Sequence, residues 1–320
     1  MIDSWQDLPT LVTGGRGFLG SHVVDRLRAR GAMVFAPASA EVDLRDASQA
    51  RALLAKVRPR VIIHCAVNGG GIGYMREHPA SVGFDNVHLN LHLMQAAAEN
   101  RGVDCFVGVS SICAYPRITP IPMREENLWD GYPEPTNGPY GLSKRIMMAL
   151  GEACRAQYGL NAVFPMPVNL YGPRDCFDPM RSHVVPALIQ RFERARIDGV
   201  DEVVAWGTGQ VTRELLYVED CADAVLRAAE VMDRSEPFNL GTGVETRVCD
   251  LAQAVADAVG FRGSIRWDPS FPDGQPRKCL DVSRAQAWLG WQAAVPLARG
   301  LESTVAWYRA ELAAGRLVAP

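Results

Sequence analysis

The side chains best suited to chemistry are those of a tyrosine and a lysine four positions apart. Tyr140 and Lys144 open an amphipathic stretch that ends near Tyr158, and residues four apart share one face of a helix. A free phenol has a pKa of about 10, too high for proton transfer at neutral pH, and a neighbouring ammonium lowers that pKa. The pair therefore predicts a phenol that exchanges a proton with a substrate. The alternative is a surface aromatic–lysine pair.

A glycine pattern near the start of the chain predicts a dinucleotide site. A short apolar strand ends at Thr13, and Gly14, Gly17 and Gly20 follow before a helical pattern. Glycines at this spacing permit a tight turn, a close approach of the backbone to a pyrophosphate, and close packing of helix on strand. A flexible glycine-rich turn is the alternative, but it would not need to follow a strand and open a helix.

Composition limits the class of protein in which these residues act. The chain has 320 residues, 48% of them hydrophobic, enough to bury the core of one large domain or two closely packed ones. A net charge of −3 gives no electrostatic reason to expect nucleic acid as a partner. We see no secretory signal and no apolar run that could cross a bilayer, so no membrane partner is expected. Eight scattered cysteines without a Cys-x-x-Cys pair favour reduced thiols in a cytoplasmic protein, and no metal site is expected.

Strand and helix patterns alternate along the first 168 residues. Strands are predicted at 10–12, 33–36, 61–65, 105–109 and 162–167, and helices at 21–29, 47–57, 87–100 and 140–158. Such alternation is typical of an α/β protein with a Rossmann-type, doubly wound parallel sheet. Ser111 follows the fourth strand and Tyr140 opens the next helix. Both are therefore expected at the carboxyl edge of the sheet, where ligands bind.

The rest of the chain is less regular. After Asn169, the segments 177–209 and 264–281 predict loops, short strands and one helix, whereas 219–232 returns to a helical pattern. We expect residues 1–168, with 214–240 returning to them, to form the dinucleotide-binding domain. Residues 169–213 and 241–320 would form a smaller mixed lobe that covers the carboxyl ends of the strands and binds the substrate.

Together these motifs indicate a known family. The glycine pattern, Ser111 and Tyr140-x-x-x-Lys144 resemble the extended short-chain dehydrogenase/reductases that act on nucleotide sugars. The resemblance implies a bound NAD(P) and a catalytic trio of tyrosine, lysine and serine. Dehydratases of the family carry Asp-Glu after the serine, whereas this chain has Ile112–Ala114 there. A 4,6-dehydration is therefore not expected.

Longer motifs narrow the resemblance to the GDP-L-fucose synthase family, over nearly the whole chain. They are Ser-Ile-Cys-Ala-Tyr-Pro at 111–116, Met-Pro-x-Asn-Leu-Tyr-Gly-Pro at 166–173, Ser-His-Val-x-Pro-Ala-Leu at 182–188, Trp-Gly-x-Gly at 206–209, and the segment 273–282. The resemblance implies an enzyme that inverts C3 and C5 of GDP-4-keto-6-deoxy-mannose and then reduces C4 with NADPH. It also implies a GDP-sugar as the small-molecule partner and a homodimer as the assembly.

Cys113 and His183 supply the proton transfers that such inversions need. A 4-keto group acidifies the hydrogens at C3 and C5, and inversion requires one group to remove a proton and another to return one on the opposite face. A thiolate favoured by nearby positive charge can be the base, and a histidine that titrates near neutrality can be the acid. The alternatives are a small buried cysteine and a histidine that only begins a helix. The predicted catalytic residues are Ser111, Cys113, Tyr140, Lys144 and His183.

The resemblance also implies the binding residues. Those expected at the cofactor are Gly14, Arg16, Gly17, Phe18, Leu19, Gly20, Ser39, Asp43, Leu44, Ala66, Val67, Asn86, Val109, Tyr140, Lys144, Pro167, Asn169, Leu170 and His183. Those expected at the substrate are Asn169, Arg191, Trp206, Arg213, Asp273 and Lys278. The tryptophan suits stacking on a guanine, and the arginines suit bidentate contacts to a diphosphate. Asp220 and Asp281 are interpreted as structural acids at a helix start and in a loop.

The choice of cofactor rests on departures from the family pattern. Arg16 matches the first of two arginines expected at the ribose phosphate of NADP, but Ser39 stands where the second is expected. No acid lies within 36–39 to bind the ribose hydroxyls in the manner of NAD enzymes. NADP (as NADPH) is therefore favoured, and NAD is not excluded.

The sugar, and the balance of the two activities, also stay open. The loop 68–73 is unusually rich in glycine, and Val168 and Cys176 replace more polar residues of the family. One alternative is an epimerase without net reduction, like GDP-mannose 3,5-epimerase, which has a lysine where His183 stands. Others are a 4-ketoreductase of a related GDP-sugar and a non-catalytic sensor. The sensor is disfavoured because it would need no proton donors.

Overall fold

The computed structural model describes residues 2–270 and 274–317. The strands in those ranges are β1 (Pro9–Thr13), β2 (Met33–Phe35), β3 (Val61–His64), β4 (Cys105–Gly108), β5 (Ala162–Val163), β6 (Pro165–Pro167), β7 (Asn169–Tyr171), β8 (Glu202–Trp206), β9 (Thr212–Arg213), β10 (Leu215–Tyr217), β11 (Phe238–Leu240), β12 (Thr246–Arg247) and β13 (Ser264–Asp268). The α-helices are α1 (Phe18–Ala29), α2 (Ala47–Val57), α3 (Ile72–Glu77), α4 (Pro79–Glu99), α5 (Gly138–Tyr158), α6 (Val184–Asp198), α7 (Val218–Val231), α8 (Val248–Val259), α9 (Ser283–Leu289) and α10 (Leu297–Ala313). Short 3-10 helices lie at Ile112–Ala114, Glu125–Trp129 and Pro135–Asn137.

The central sheet is parallel, in the order β2-β1-β3-β4-β5. The chain builds outward from β1 to β2 and then crosses to β3 on the other side. The crevice at the carboxyl ends of β1 and β3 is therefore where a ligand is expected to bind. The predicted α/β architecture with a parallel, doubly wound sheet is confirmed.

The strand predicted at 162–167 is divided, which corrects the prediction. β5 pairs with β4, whereas β6 pairs in parallel with β11 on the far side. Pro165 and Pro167 have no N–H to donate to a ladder, so this strand is hydrogen-bonded in short pieces. The same segment then leads into β7, which pairs with β10.

Buried side chains form two hydrophobic clusters. The larger one lies around the central sheet and includes Val12, Ile62, Phe106, Leu216 and Leu240. The smaller one is built from β7, β10, α6, α8 and α10. The domain boundaries expected from the sequence stay a prediction.

Helix boundaries differ from the predicted ones where local signals are ambiguous. Helix α2 occupies the predicted range, but α4 begins at Pro79, eight residues before position 87, where its start is predicted. Proline fits the first turn of a helix because its missing N–H would have no partner there. The later helices α8, α9 and α10 are not predicted from the sequence, whereas 177–209 holds one helix, α6, as predicted.

Candidate active site

The glycine turn after β1 brings backbone against backbone. Gly14 has φ +66°, and a Cβ there would lie 2.7 Å from the backbone N of Ala66 at the end of β3. A Cβ on Gly20 would lie 2.1 Å from the carbonyl oxygen of Gly14, so helix α1 packs directly on the turn. Gly17 is the N-cap of α1 and offers no side chain to its first N–H groups. These groups stay available to an anion such as a pyrophosphate.

A cleft of about 720 Å³ opens beside this turn. Its lining contains eight of the expected cofactor residues, namely Gly14, Arg16, Gly17, Ser39, Asp43, Leu44, Ala66 and Val67. Phe18, Leu19 and Gly20 continue into α1, and Pro167, Asn169 and Leu170 lie on β6 and β7. The shape and position of the cleft fit a dinucleotide.

Arg16, which lines this cleft, is paired with an acid that the sequence did not single out. Arg16 pairs with Glu41, Nη2 to Oε1 at 3.0 Å, and Glu41 also accepts the N–H of Ala38 at 2.9 Å. That backbone hydrogen bond, followed by the charge of Arg16, lowers the pKa of Glu41. Glu41 lies two residues after 36–39, the segment in which an acid would bind the ribose hydroxyls of NAD. Asp43, another expected cofactor residue, is also already paired, because the Arg45 guanidinium donates to its carboxylate.

A buried polar chain links the glycine turn to helix α5. The Oγ1 of Thr13 lies 2.6 Å from Nδ1 of His64, whose Nε2 lies 3.0 Å from Oδ1 of Asn90. The amide of Asn90 donates to the carbonyl of Ser143 at 3.2 Å. Burial, and then the charge of Lys144, lower the pKa of His64 to about 3, so the ring stays neutral. These hydrogen bonds fix the position of the glycine turn relative to α5, the helix that carries Tyr140 and Lys144.

The structure brings Ser111, Tyr140 and Lys144 together. The Nζ of Lys144 lies 5.7 Å from the centre of the Tyr140 ring and donates to the carbonyl of Val109 at 2.8 Å. Only 2% of Lys144 is exposed, and this burial lowers its pKa to about 8. Ser111 is the N-cap of the 3-10 helix Ile112–Ala114 and hydrogen-bonds to the Tyr140 phenol. This is the arrangement that the Tyr-x-x-x-Lys spacing predicts.

The pKa of Tyr140 corrects one expectation. The sequence suggested that Lys144 lowers it, but burial raises the pKa of the phenol, with the nearby Cys113 adding to the rise. The hydrogen bond from Ser111 lowers it only in part. Because Lys144 donates to Val109 and lies beside the ring, its charge does not offset burial. Tyr140 is therefore protonated at neutral pH and suited to act as an acid.

Cys113 lies next to this trio, two residues after Ser111. Its backbone N–H donates to Ser111 Oγ at 3.1 Å, and its half-buried sulfur accepts the Nδ2 of Asn137 at 3.2 Å. Gly141 makes this approach possible, since a Cβ there would lie 2.3 Å from the carbonyl oxygen of Cys113. Asn137 was not among the expected site residues. Its position as the N-cap of α5, three residues before Tyr140, was the available signal.

His183 is held on a different element, as the N-cap of α6. Its side chain is accessible to water, yet the protein around it removes enough solvent to lower its pKa. The loop that precedes it packs on the glycine-rich segment 68–73, where Gly71 donates to the carbonyl of Arg181 at 2.8 Å. His183 is therefore held next to the glycine-rich segment that follows β3.

The expected substrate residues lie on neighbouring elements of the second lobe. Trp206 ends β8 with 61% of its surface exposed, and the guanidinium of Arg191 lies 5.5 Å from its ring. Arg213, at the end of β9, donates to the carbonyl of Gln275 at 2.7 Å. Lys278 is half-buried on the same segment as Gln275. Asp273 lies outside the described residues.

A buried carboxylate connects these parts. Glu214 accepts the backbone N–H groups of Thr242 (2.6 Å), Gly243 (2.7 Å) and Leu280 (2.6 Å), while its own carbonyl accepts the side-chain amide of Asn169 at 3.1 Å. The Glu214 carboxylate thus joins the end of β9 to the segment at 242–243 and to the segment that ends at Leu280. Sequence reasoning missed it because a lone Glu after an Arg has no distinctive spacing.

The two acids interpreted as structural behave as predicted. Asp220 accepts the N–H groups of Ala294 and Val295 at 3.0 and 2.9 Å, and Asp281 accepts that of Ser283 at 2.9 Å. Both carboxylates therefore bind backbone N–H groups, as expected of structural acids.

A family model with the description "NAD dependent epimerase/dehydratase family" matches residues 10–241 of this chain. The chain belongs to this family.

Relatives of known name extend the likeness over the whole chain. A protein from Oryza sativa subsp. japonica named "Probable GDP-L-fucose synthase 1" is 40% identical over 298 residues, which cover 93% of this chain and 90% of that protein. The GDP-L-fucose synthase of Escherichia coli K12 is 36% identical, covering 93% and 95%. A GDP-L-fucose synthetase structure from Naegleria fowleri with NADP bound has a TM-score of 0.87 at 27% identity, covering 98% of this chain and 97% of that one.

Proposed function

We propose that this chain is an NADPH-dependent 3,5-epimerase and 4-reductase of a GDP-4-keto-6-deoxy-hexose, of the GDP-L-fucose synthase type. The observation that carries the proposal is Cys113, whose sulfur is hydrogen-bonded by Asn137 beside the Ser111, Tyr140 and Lys144 trio. A plain reductase needs a proton for the alcohol oxygen, but it needs no thiol at the carbonyl.

The site residues perform two tasks on one ketone, namely inversion of the neighbouring carbons and reduction of the carbonyl. Cys113 removes the proton next to the carbonyl, and His183, which lies on a separate element at the start of α6, returns one from the opposite face. During this step, Ser111 and Tyr140 stabilise the negative oxygen of the enolate. NADPH, when bound, supplies the hydride for C4, and Tyr140 then donates its proton to the oxygen.

The protonation states fit these tasks. Tyr140 keeps its proton at neutral pH because burial raises its pKa. Lys144, with a pKa of about 8, is mostly charged there and close to the ring. The lowered pKa of His183 makes its neutral form dominant at neutral pH. The neutral ring of His183, which is exposed to water, takes up a proton from water and, as the imidazolium, gives it to the substrate carbon.

NADPH is the proposed cofactor. The glycine turn, the bare N-terminus of α1 and the 720 Å³ cleft accommodate a dinucleotide. Arg16 is the charge available for a 2′-phosphate, and its exposed guanidinium can turn from Glu41 to a phosphate. Because Glu41 competes for the same guanidinium, we infer only a modest preference for NADPH over NADH.

A homodimer in the cytoplasm is the proposed state. Helices α4 and α5 pack on each other and expose apolar side chains, among them Phe84 (67% exposed), Ile146, Leu150 and Tyr158. Large apolar side chains that are exposed on two packed helices are candidates for a protein–protein contact. In the described ranges, none of the helices is both long and apolar enough to span a membrane. Light scattering on a gel-filtration column measures the mass, and Leu150→Arg should yield monomer if this face is used.

The function is tested by turnover of GDP-4-keto-6-deoxy-mannose in heavy water, with NADPH and with NADH. We expect deuterium at C3 and C5 and a reduced sugar with both centres inverted. A reduced sugar without inversion and without deuterium would identify a simple 4-ketoreductase. Deuterium and inversion without consumption of reduced cofactor would identify an epimerase.

A further inference from the structure

The glycine-rich segment 68–73 and the loop before His183 are joined by several contacts. The N–H of Gly71 donates to the carbonyl of Arg181 at 2.8 Å, and the Arg181 guanidinium donates back to the carbonyl of Gly69 at 3.0 Å. The same guanidinium lies 4.8 Å from the centre of the Tyr74 ring. Arg181 thus binds the segment through its backbone, its side-chain N–H groups and its cationic face.

The glycines of this segment are required by that contact. A Cβ on Gly71 would lie 2.4 Å from the carbonyl oxygen of Ser182, so any larger residue would push the two loops apart. A Cβ on Gly70 would lie 3.2 Å from the side chain of Tyr74. The departure from the family pattern at 68–73 therefore has a structural partner in the 178–183 loop.

The segment is a firm support, because it is tied to the cofactor domain. The Tyr74 hydroxyl donates to Asn68 at 2.8 Å. Asn68 in turn binds the buried Asn86 through its backbone N–H and carbonyl, and Asp85 through its side chain. Helix α3, which begins within the segment, also packs on the 3-10 helix that ends at Asn137, the partner of Cys113.

The loop side is also compact. Asp178 accepts the N–H groups of Arg181 and Ser182 through its carbonyl at 3.0 and 2.7 Å, and that of Met180 through its carboxylate at 2.8 Å. His183 follows directly as the N-cap of α6. A displacement of Arg181 is therefore passed to His183 over two residues of constrained backbone.

We propose that Arg181 is a positioning residue that clasps the His183 loop to the glycine-rich segment and so fixes His183 opposite Cys113. The clasp rests on the proposed function in one respect, namely that His183 returns the proton during inversion. It controls how often the substrate is inverted before C4 is reduced. Loosening it leaves the hydride-transfer trio intact and gives reduction an advantage over inversion.

The test compares Arg181→Ala and Gly71→Ala with Arg174→Ala. Arg174 lies on the same stretch but pairs with Asp25 of α1 at 2.7 Å, so its loss removes a surface ion pair without touching the clasp. The measured quantity is the ratio of inverted to un-inverted reduced sugar. A misplacement of about 1 Å costs about 10²-fold in a well-oriented step, so we expect that ratio to fall at least about tenfold in the clasp variants. The KM for NADPH should change much less than this ratio, since neither residue touches the glycine turn, which holds most of the expected cofactor contacts.

Hydrogen exchange of the same proteins, without substrate, separates the clasp from the function. Peptides covering 68–74 and 178–184 should exchange faster than in the wild type in Arg181→Ala and Gly71→Ala. In Arg174→Ala their exchange rates should be unchanged. The clasp is overturned if these peptides exchange as in the wild type, or if the product ratio of the clasp variants equals that of Arg174→Ala. If the wild type itself inverts nothing, the proposed function fails, and the exchange data alone decide whether the clasp exists.

Discussion

The side-chain amide of Asn137 donates a hydrogen bond to the sulfur of Cys113 at 3.2 Å. A thiolate accepts such a bond more strongly than a thiol does, because charge strengthens hydrogen bonds. The amide therefore faces the atom that serves as the base in the proposed inversion. The same hydrogen bond orients the sulfur beside Tyr140. The sulfur lies close enough to the phenol to raise the phenol's pKa.

Loss of the thiol should separate inversion from reduction. Cys113→Ser keeps the size but replaces a group of pKa about 8.5 with one that is far harder to ionise. We expect deuterium exchange at C3 and C5 to disappear while the un-inverted 4-keto sugar is still reduced. Asn137→Ala should slow the exchange about tenfold, the effect of one charge-assisted hydrogen bond of about 1.5 kcal/mol. Normal inversion in Cys113→Ser would refute the assignment.

Loss of the phenol should abolish reduction. Tyr140→Phe removes the proton donor but keeps the ring, so turnover should fall about 10²–10⁴-fold, the usual contribution of a general acid. Binding of NADPH, followed by fluorescence, should be nearly unchanged, which controls for folding. Turnover near the wild-type rate would show that another group protonates C4 oxygen.

The cofactor preference should respond to Arg16 and Glu41 in opposite directions. Arg16→Ala should raise the KM for NADPH far more than that for NADH. Glu41→Gln should lower the KM for NADPH up to about fivefold, because the carboxylate of this exposed ion pair no longer competes with the phosphate for the guanidinium. Steady-state kinetics with both cofactors decide the matter. An equal effect on both, for either variant, would place the 2′-phosphate elsewhere.

The buried carboxylate of Glu214 should govern binding of the substrate. In Glu214→Gln an amide N–H₂ faces backbone N–H groups, which costs about 1–3 kcal/mol of stability for the unpaired donor. The segments that carry Arg213 and Lys278 should shift, so the KM for the GDP-sugar should rise with little change in the KM for NADPH. The matched control is Glu125→Gln, another buried carboxylate that accepts a backbone N–H, from Asn239 at 2.8 Å. An equal rise of the substrate KM in both variants would reduce Glu214 to a general stabilising role.

Lys144 should make stability depend on pH. Burial lowers its pKa from 10.5 to about 8 in the folded protein, so between these values the unfolded chain binds more protons than the folded one. The free energy of unfolding must therefore rise with pH across this window as far as Lys144 contributes. The difference between wild type and Lys144→Met, from urea titrations at pH 7.5 and at pH about 10, measures that contribution. A difference that does not change with pH would contradict the lowered pKa.

The sequence determined the features that depend on local geometry. Glycines at 14, 17 and 20 after a strand predict a turn that only glycine can form, and the structure has Gly14 at φ +66° against the backbone of Ala66. The four-residue spacing of Tyr140 and Lys144 places both on one helix face by helical periodicity alone. The alternation of strands and helices likewise predicted the parallel sheet.

Only the tertiary structure decided how distant loops meet. Arg181 reaches Gly69 across 112 positions, Leu280 reaches Glu214 across 66, and Arg16 reaches Glu41 across 25. Contacts of this kind depend on how the packed helices and strands bring distant loops together. The hydrophobic periodicity of the sequence does not encode them. The pKa of Tyr140 belongs to the same group. Spacing identified its charged neighbour, but the burial that outweighs that neighbour exists only once the chain has folded.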